Sequence, residues 1–172
     1  MDKNKKTALN IIAFIIGMIC LTYAAVPFYS VFCKATGFGG TTQRVRALSK
    51  TEGQRTVTVQ FDANVDSSVP WNFKPVERSV TVKTGENKLV AFQAENLSNE
   101  TITGTATFNV TPVKVGQYFN KIQCFCFTKQ TLGSKETKML PVTFYIDPAM
   151  EKDPEMDDVS VITLSYTFFK VK

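Results

Sequence analysis

The 172-residue sequence contains no histidine. That removes the commonest general base and the commonest nitrogen ligand for metals. A Ser–His–Asp or Cys–His catalytic site cannot be assembled within this chain, and a metal would have to be held by sulfur or oxygen. Tryptophan occurs once, as Trp71 in VPWNF, and reads as a core or rim anchor with no chemical role. Cysteine is scarce, with four residues. Charge is thin as well: 20 Lys and Arg against 15 Asp and Glu give a net charge of +5. The basic residues are scattered, with no block of about five like charges, which argues against nucleic acid as a partner. Internal repeats and low-complexity tracts are missing. What the chain has in quantity is phenylalanine, 14 residues, with many valines and threonines. That composition favours β-structure.

One stretch breaks this pattern. From Thr7 to Cys33 there is no charged side chain, and ALNIIAFIIGMICLTYAAV fills the 19 positions from Ala8 to Val26. That length suffices for an α-helix to cross the hydrocarbon core. A cleaved signal peptide is the competing reading, but its apolar region usually runs only about 7–15 residues. Ala24 and Ala25 resemble a cleavage site only loosely, because Tyr23 and Phe28 fit poorly around them. An uncleaved anchor is therefore expected. Pro27 disfavours helix at the residue before it, so the helix should end at Val26. Lys3, Lys5 and Lys6 precede the span, against Lys34 and Arg44 after it, and this bias points the N-terminus inward. Cys20, within the span, reads as a small apolar filler.

Beyond the span, Gly37, Gly39 and Gly40 read as a flexible connector. From Arg44 the chain breaks into short alternating segments. RTVTVQF (55–61) places Val57, Val59 and Phe61 on one face, and SVTVK (79–83) does the same with Val80 and Val82. Residues 88–94, 103–110, 121–127, 139–146 and 161–171 continue the pattern, with turn signals between them. Seven such strands with regular punctuation predict an all-β fold, an immunoglobulin-like two-sheet sandwich preceded by one transmembrane α-helix. The expected organisation is a short tail over 1–7, a transmembrane helix over 8–26, a juxtamembrane linker with Cys33 over 27–43, and the sandwich over 44–172. Asn96, Asn99 and Asn109 match the glycosylation triplet, which carries no meaning in a bacterial or mitochondrial protein.

Within KIQCFCF (121–127), Cys124 and Cys126 are one residue apart. In an uninterrupted strand they share a face, about 6.6 Å apart at Cα, and Phe125 and Phe127 share the other. The expectation is that the phenylalanines enter the core and the thiols face outward. A bond between two side chains on one extended segment would need distorted geometry. Paired thiolates suit a soft cation such as copper(I), whereas structural zinc wants four ligands. Spacing alone leaves metal binding, redox chemistry and unconnected cysteines open. Cys33, just past the span, could complete a metal site within one chain or across a homodimer. Met139, Met150 and Met156 are further soft donors, though lone methionines more often fill gaps.

Several stretches taken together resemble a known family, and the resemblance runs in order from Tyr23 onward. YAAVPFYSVFCKATGFGGTTQR (23–44), FDANV (61–65), PWNFKP (70–75), NVTP (109–112), YFNKIQCFCFTKQTL (118–132), PVTFYIDP (141–148) and TLSYTFF (163–169) look like the cytochrome c oxidase copper-assembly protein CtaG family. The resemblance implies a membrane-anchored carrier rather than an enzyme. It implies that Cys124 and Cys126 ligate copper(I), that Cys33 matches a juxtamembrane cysteine, and that copper goes to the CuB centre of oxidase subunit I. Subunit I, an upstream copper donor and a thiol reductant are the implied partners. The implied location is the bacterial inner membrane, with the N-terminus cytoplasmic and the domain periplasmic. The alternative is the mitochondrial inner membrane, with the domain in the intermembrane space. The short tail carries no targeting extension, which favours the bacterial reading. Gln93, Phe108 and Leu140 depart from the expected aromatic, tyrosine and methionine, and would alter the surface that meets the oxidase. Two rival classes remain on the residues alone. One is a membrane-anchored thiol–disulfide oxidoreductase whose Cys124–Cys126 pair is activated by Lys121 and Lys129. The other is a binding module with incidental cysteines.

Overall fold

The computed structural model describes residues 3–36, 43–44, 48–49 and 51–171. Of the glycine-rich connector expected over 35–44, residues 37–42 lie outside them. The chain divides into a helical unit and a β unit, described in turn.

The helical unit is α1, Lys3–Thr36. Leu9, Phe14, Ile16, Leu21, Tyr23, Val26, Phe28 and Tyr29 are all exposed on it. A helix whose described apolar side chains are exposed on every side has the character of a membrane span, and α1 is long and apolar enough to cross one. The hydroxyl of Thr22 is satisfied within the helix, donating to the Met18 carbonyl at 2.9 Å. The end expected at Val26 is corrected: α1 runs through Pro27 to Thr36. A proline inside a helix removes one backbone bond and costs roughly 3 kcal/mol. The apolar helical runs on both sides outweigh that, and the Ser30 hydroxyl donates to the Pro27 carbonyl at 2.9 Å. The first part of the segment assigned to a linker, with Cys33, is therefore helical.

Among the described residues the β unit holds ten strands: β1 Gln43–Arg44, β2 Thr56–Val65, β3 Trp71–Pro75, β4 Ser79–Lys83, β5 Lys88–Asn96, β6 Ile102–Thr111, β7 Phe119–Cys124, β8 Gln130–Leu132, β9 Thr137–Ile146 and β10 Val161–Lys170. They form two five-stranded sheets, β1-β7-β9-β5-β3 and β4-β2-β10-β6-β8. This is the expected two-sheet sandwich. Its core is built by the period-2 alternation of the sequence: Val57, Val59 and Phe61 on β2, Val80 and Val82 on β4, and Ile162, Leu164, Tyr166 and Phe168 on β10 are all buried. β10 runs parallel to β2 and antiparallel to β6, at the centre of its sheet.

Aromatic side chains pack against one another through the core. Phe73 stacks on Phe92 at 5.4 Å and meets Phe168 edge-on at 4.9 Å, and Trp71 meets Phe168 edge-on at 5.0 Å. Such offset and edge-to-face pairs are the favoured aromatic contacts. Trp71 thus belongs to the core, and Gly104 lies beneath it. A Cβ there would sit 3.0 Å from the indole ring. Asn96, one of the glycosylation-like asparagines, is fully buried, and its amide donates to the carbonyls of Glu100, Leu132 and Gly133. Its role is to tie loops together.

The acidic stretch 147–158, read as a turn, contains two 3-10 turns, Pro148–Lys152 and Pro154–Met156. Each has proline at its start and an aspartate cap: Asp147 accepts from the Ala149 N–H at 2.9 Å, and Asp153 from the Glu155 N–H at 3.0 Å. Aspartate is among the preferred caps because its carboxylate satisfies a backbone N–H that has no partner within the turn. Met150 and Met156 are fully buried on this segment, so they pack the core and offer no sulfur to a surface site.

Candidate metal centre

The Cys-Phe-Cys-Phe motif does not continue as a strand. β7 ends at Cys124, and Phe125–Phe127 form a 3-10 turn. The turn brings the two Cα atoms to 5.1 Å, and Cys124 and Cys126 are joined as a disulfide. Two expectations are therefore corrected. The pair is not held apart on an extended segment, and it is not resistant to bridging. The turn supplies what extended backbone cannot, a change of direction between the two Cβ vectors. Cys124 also caps the turn, its sulfur accepting from the Cys126 N–H at 3.2 Å. Gln130, itself buried, holds the turn from below through its amide, which donates to the Phe125 carbonyl at 3.1 Å and to the Thr128 hydroxyl at 2.9 Å.

The side-chain directions differ from uninterrupted alternation as well. The β7–β9 register shifts between Lys121 and Gln123. Lys121 pairs with Phe144 and Cys124 with Val142, and both of these partners point into the core. Directly opposite residues share a face. The extra residue of this β-bulge thus gives Lys121 and Cys124 the same inner face, which their odd spacing would otherwise forbid. Cys124 is buried, whereas the sequence pattern placed it outward; Cys126 is half-buried. Phe125 enters the core as expected, packing on Phe92, Phe168 and Tyr166. Phe127 only half enters it.

Two side chains lie beneath the turn: Tyr166, which the sequence reading missed, and Lys121, which it named only as a flanking lysine that would activate the thiols. Tyr166 lies with its hydroxyl 3.1 Å from Cys124 Sγ. Burial raises its phenol well above the ordinary tyrosine value. Lys121 is fully buried, with Nζ 2.8 Å from the centroid of the Phe108 ring and 3.9 Å from Cys126 Sγ. Burial pushes its ammonium down to about 6. Its position two residues before Gln123 on β7 marked it in the sequence as a flanking lysine, but not as a buried one. Lys129, the other flanking lysine, is exposed.

Two of the three departures noted in the sequence take a different meaning here. Phe108 supports the Lys121 amine, and Leu140 is buried beside the motif. Leu140 therefore does not belong to an outer recognition surface, while Phe108 is half-buried. An open groove of about 420 Å³ adjoins the turn, lined by Cys124, Phe127, Thr128, Met139 and Pro141 among others. Met139 is exposed there. Cys33 is half-exposed near the end of α1 and belongs to the helical unit, whereas the paired cysteines belong to the β unit. Among the described residues no group of three cysteine, aspartate or glutamate side chains is placed to hold a metal. The chemistry available at the turn is that of two sulfurs, with a hydroxyl beside one and an amine beside the other.

The whole-chain comparisons agree with the motif. The family model for the cytochrome c oxidase assembly protein CtaG/Cox11 matches residues 25–170. The chain belongs to this family. It is 52% identical over 171 residues to a cytochrome c oxidase assembly protein CtaG of Ehrlichia ruminantium, covering 99% of this chain and 97% of that one. It is 48% identical over 168 residues to the protein of that name from Brucella ovis, covering 98% of this chain and 84% of the relative. The family makes this an oxidase assembly protein, and the apolar α1 is consistent with a membrane-anchored one.

Proposed function

We propose that the protein is a membrane-anchored copper(I) carrier that delivers its ion to the CuB centre of cytochrome c oxidase subunit I during assembly. Copper is its cargo, and the protein acts as a carrier rather than an enzyme. The observation that carries the reading is the Cys124–Cys126 pair, held on one turn at the surface end of a rigid aromatic core with Cys126 half-buried. Copper(I) is selected by soft thiolate ligands. The disulfide must first be opened: a dithiol reductant supplies two electrons and two protons, becomes a disulfide itself, and leaves two thiols. Copper(I) then displaces the thiol protons, with no further redox change. A site of two sulfurs can both hold and release the ion, because its coordination sphere remains open to an acceptor ligand. Cys33, near the end of α1, serves as the membrane-proximal thiol in transfer. The domain faces the periplasm, or the intermembrane space in an organelle.

The bonded pair supports a second reading, a membrane-anchored thiol–disulfide oxidoreductase that passes the Cys124–Cys126 bond to a substrate dithiol. Anaerobic titration of the reduced full-length protein with copper(I) separates the two. The carrier saturates at about one ion per chain. Failure to retain copper, together with rapid disulfide exchange with a dithiol peptide, would leave the oxidoreductase.

A further inference from the structure

Lys121 is an unusual residue to find where it is. It is fully buried, its Nζ sits over the Phe108 ring at 2.8 Å and lies 5.3 Å from the centroid of Tyr166, and its strand neighbour is Phe144. Among the described residues the one ion pair is Lys114–Asp158, so no carboxylate pairs with this amine. Its hydrogen-bonding contact is with sulfur, 3.9 Å to Cys126 Sγ. Burying an amine is costly unless it is hydrogen-bonded or paired with opposite charge. A disulfide sulfur is a weak acceptor. A thiolate sulfur carries charge, and hydrogen bonds to an ionised acceptor are roughly twice as strong as neutral ones. The donor therefore suits the opened state of the pair better than the bridged one.

We propose that Lys121 is a positioning residue for the bound copper ion, its N–H donating to Cys126 Sγ while the Tyr166 hydroxyl donates to Cys124 Sγ. The inference rests on the reading of the pair as copper(I) ligands. Two thiolates on one copper(I) ion leave a net negative charge at the turn. A donor fixed beside each sulfur offsets that charge and orients the sulfur lone pairs toward the metal. The two donors differ. Tyr166 is already within hydrogen-bond distance of its sulfur, whereas Lys121 reaches its own at the end of a flexible side chain that can follow Cys126 as the bond opens. The bulge in β7 makes this possible, since it puts the lysine on the same inner face as Cys124. Metal ligands generally depend on such outer partners, and their loss typically costs about 10–100-fold in affinity.

The test uses the reduced full-length protein in detergent, competing with a chromophoric chelator for copper(I) under anaerobic conditions. Lys121→Met removes the donor and keeps an apolar body of similar length. It should bind copper about 10–100-fold more weakly than wild type and shift the sulfur-to-copper charge-transfer band, while its thermal melt as the bridged apoprotein is no lower. A purely structural lysine would leave the band in place. Lys121→Gln, whose shorter amide does not reach the sulfur, gives the same reading should the methionine variant not fold. A Lys121→Met protein within about twofold of wild-type affinity, with an unchanged band, overturns the role of Lys121 alone. A wild-type protein that takes up no copper overturns this inference and the carrier reading together.

Discussion

Cys124 stands directly opposite Val142 across the sheet, and both are buried. The sulfur of Cys124 is thus part of the core as well as part of the site. The two cysteines of the motif are unequal: one is rooted among aromatic rings, and the other is half-buried at the turn.

Replacement of either sulfur should abolish copper(I) retention. Cys124→Ser and Cys126→Ser are each expected to take the copper-to-protein ratio of the reduced protein from about one to near zero. The melt of Cys126→Ser should stay closer to wild type, because that position is half-buried. Metal analysis after gel filtration, alongside calorimetry, reads both outcomes, and full loading of either variant would remove that sulfur from the ligand set.

The two phenylalanines should separate in the same way. Phe125 is buried against Phe92, Tyr166 and Phe168, so Phe125→Ala should cost about 3–5 kcal/mol of stability. Phe127 is half-buried, and Phe127→Ala should cost about 1–2 kcal/mol. Denaturant unfolding of the two variants measures the difference. Equal losses would mean that the turn is not where the chain leaves the strand.

Acid sensitivity should trace in part to Glu151. Its carboxylate accepts from the Thr84 hydroxyl and from the backbone N–H groups of Gln54 at 2.8 Å and Arg55 at 3.0 Å. These bonds, that of Thr84 first, hold its pKa below the ordinary glutamate value. A carboxyl whose folded pKa is depressed contributes stability above its unfolded pKa and loses it as pH falls through the folded one. Glu151→Gln should therefore lower Tm at neutral pH, and the gap from wild type should narrow as pH drops below the ordinary carboxylate range. A gap that stays constant across that range would assign the loss to packing.

Cys33→Ser should leave copper binding by the β unit intact and block delivery. In cells expressing the full-length variant, the purified protein should carry copper at the wild-type level while the oxidase fails to mature. Normal oxidase activity in that strain would reduce the transfer machinery to the Cys124–Cys126 pair.

Much of the sandwich was legible because period-2 alternation survives on most strands over the core: 79–83, 88–94, 103–110 and 139–146 fall on strands, and so do 55–61 and 161–171 apart from Arg55 and Val171. Trp71–Pro75 was not read as a strand because Pro70 and Pro75 bracket it and hide a short edge element. The site was legible by composition and misread in geometry. The motif names two sulfurs and two rings, but a bulge at Lys121–Gln123 and a 3-10 turn at Phe125 are both backbone decisions set by tertiary pairing with β9 and by Gln130. Residues distant in the sequence, Phe108 and Tyr166, complete the surroundings, and local alternation carries no information about them. Pro27 misled for a related reason: a local preference was read as a boundary, although the flanking apolar runs sustain the helix.

That uninterrupted helix acts as a ruler. Its 34 residues at about 1.5 Å each span roughly 51 Å, against a hydrocarbon thickness of about 30 Å. Cys33 comes seven positions after Val26, a rise of about 10 Å. In the anchored carrier proposed above, with Ala8–Val26 in the lipid, the thiol would stand above the hydrocarbon boundary on continuous helix rather than on a slack tether. A sulfur carried in this way would meet only partners whose own receiving group lies in the same thin layer of headgroup and water. In an assembly step confined to a membrane surface, that layer would select the recipient by altitude before any side chain had to recognise it.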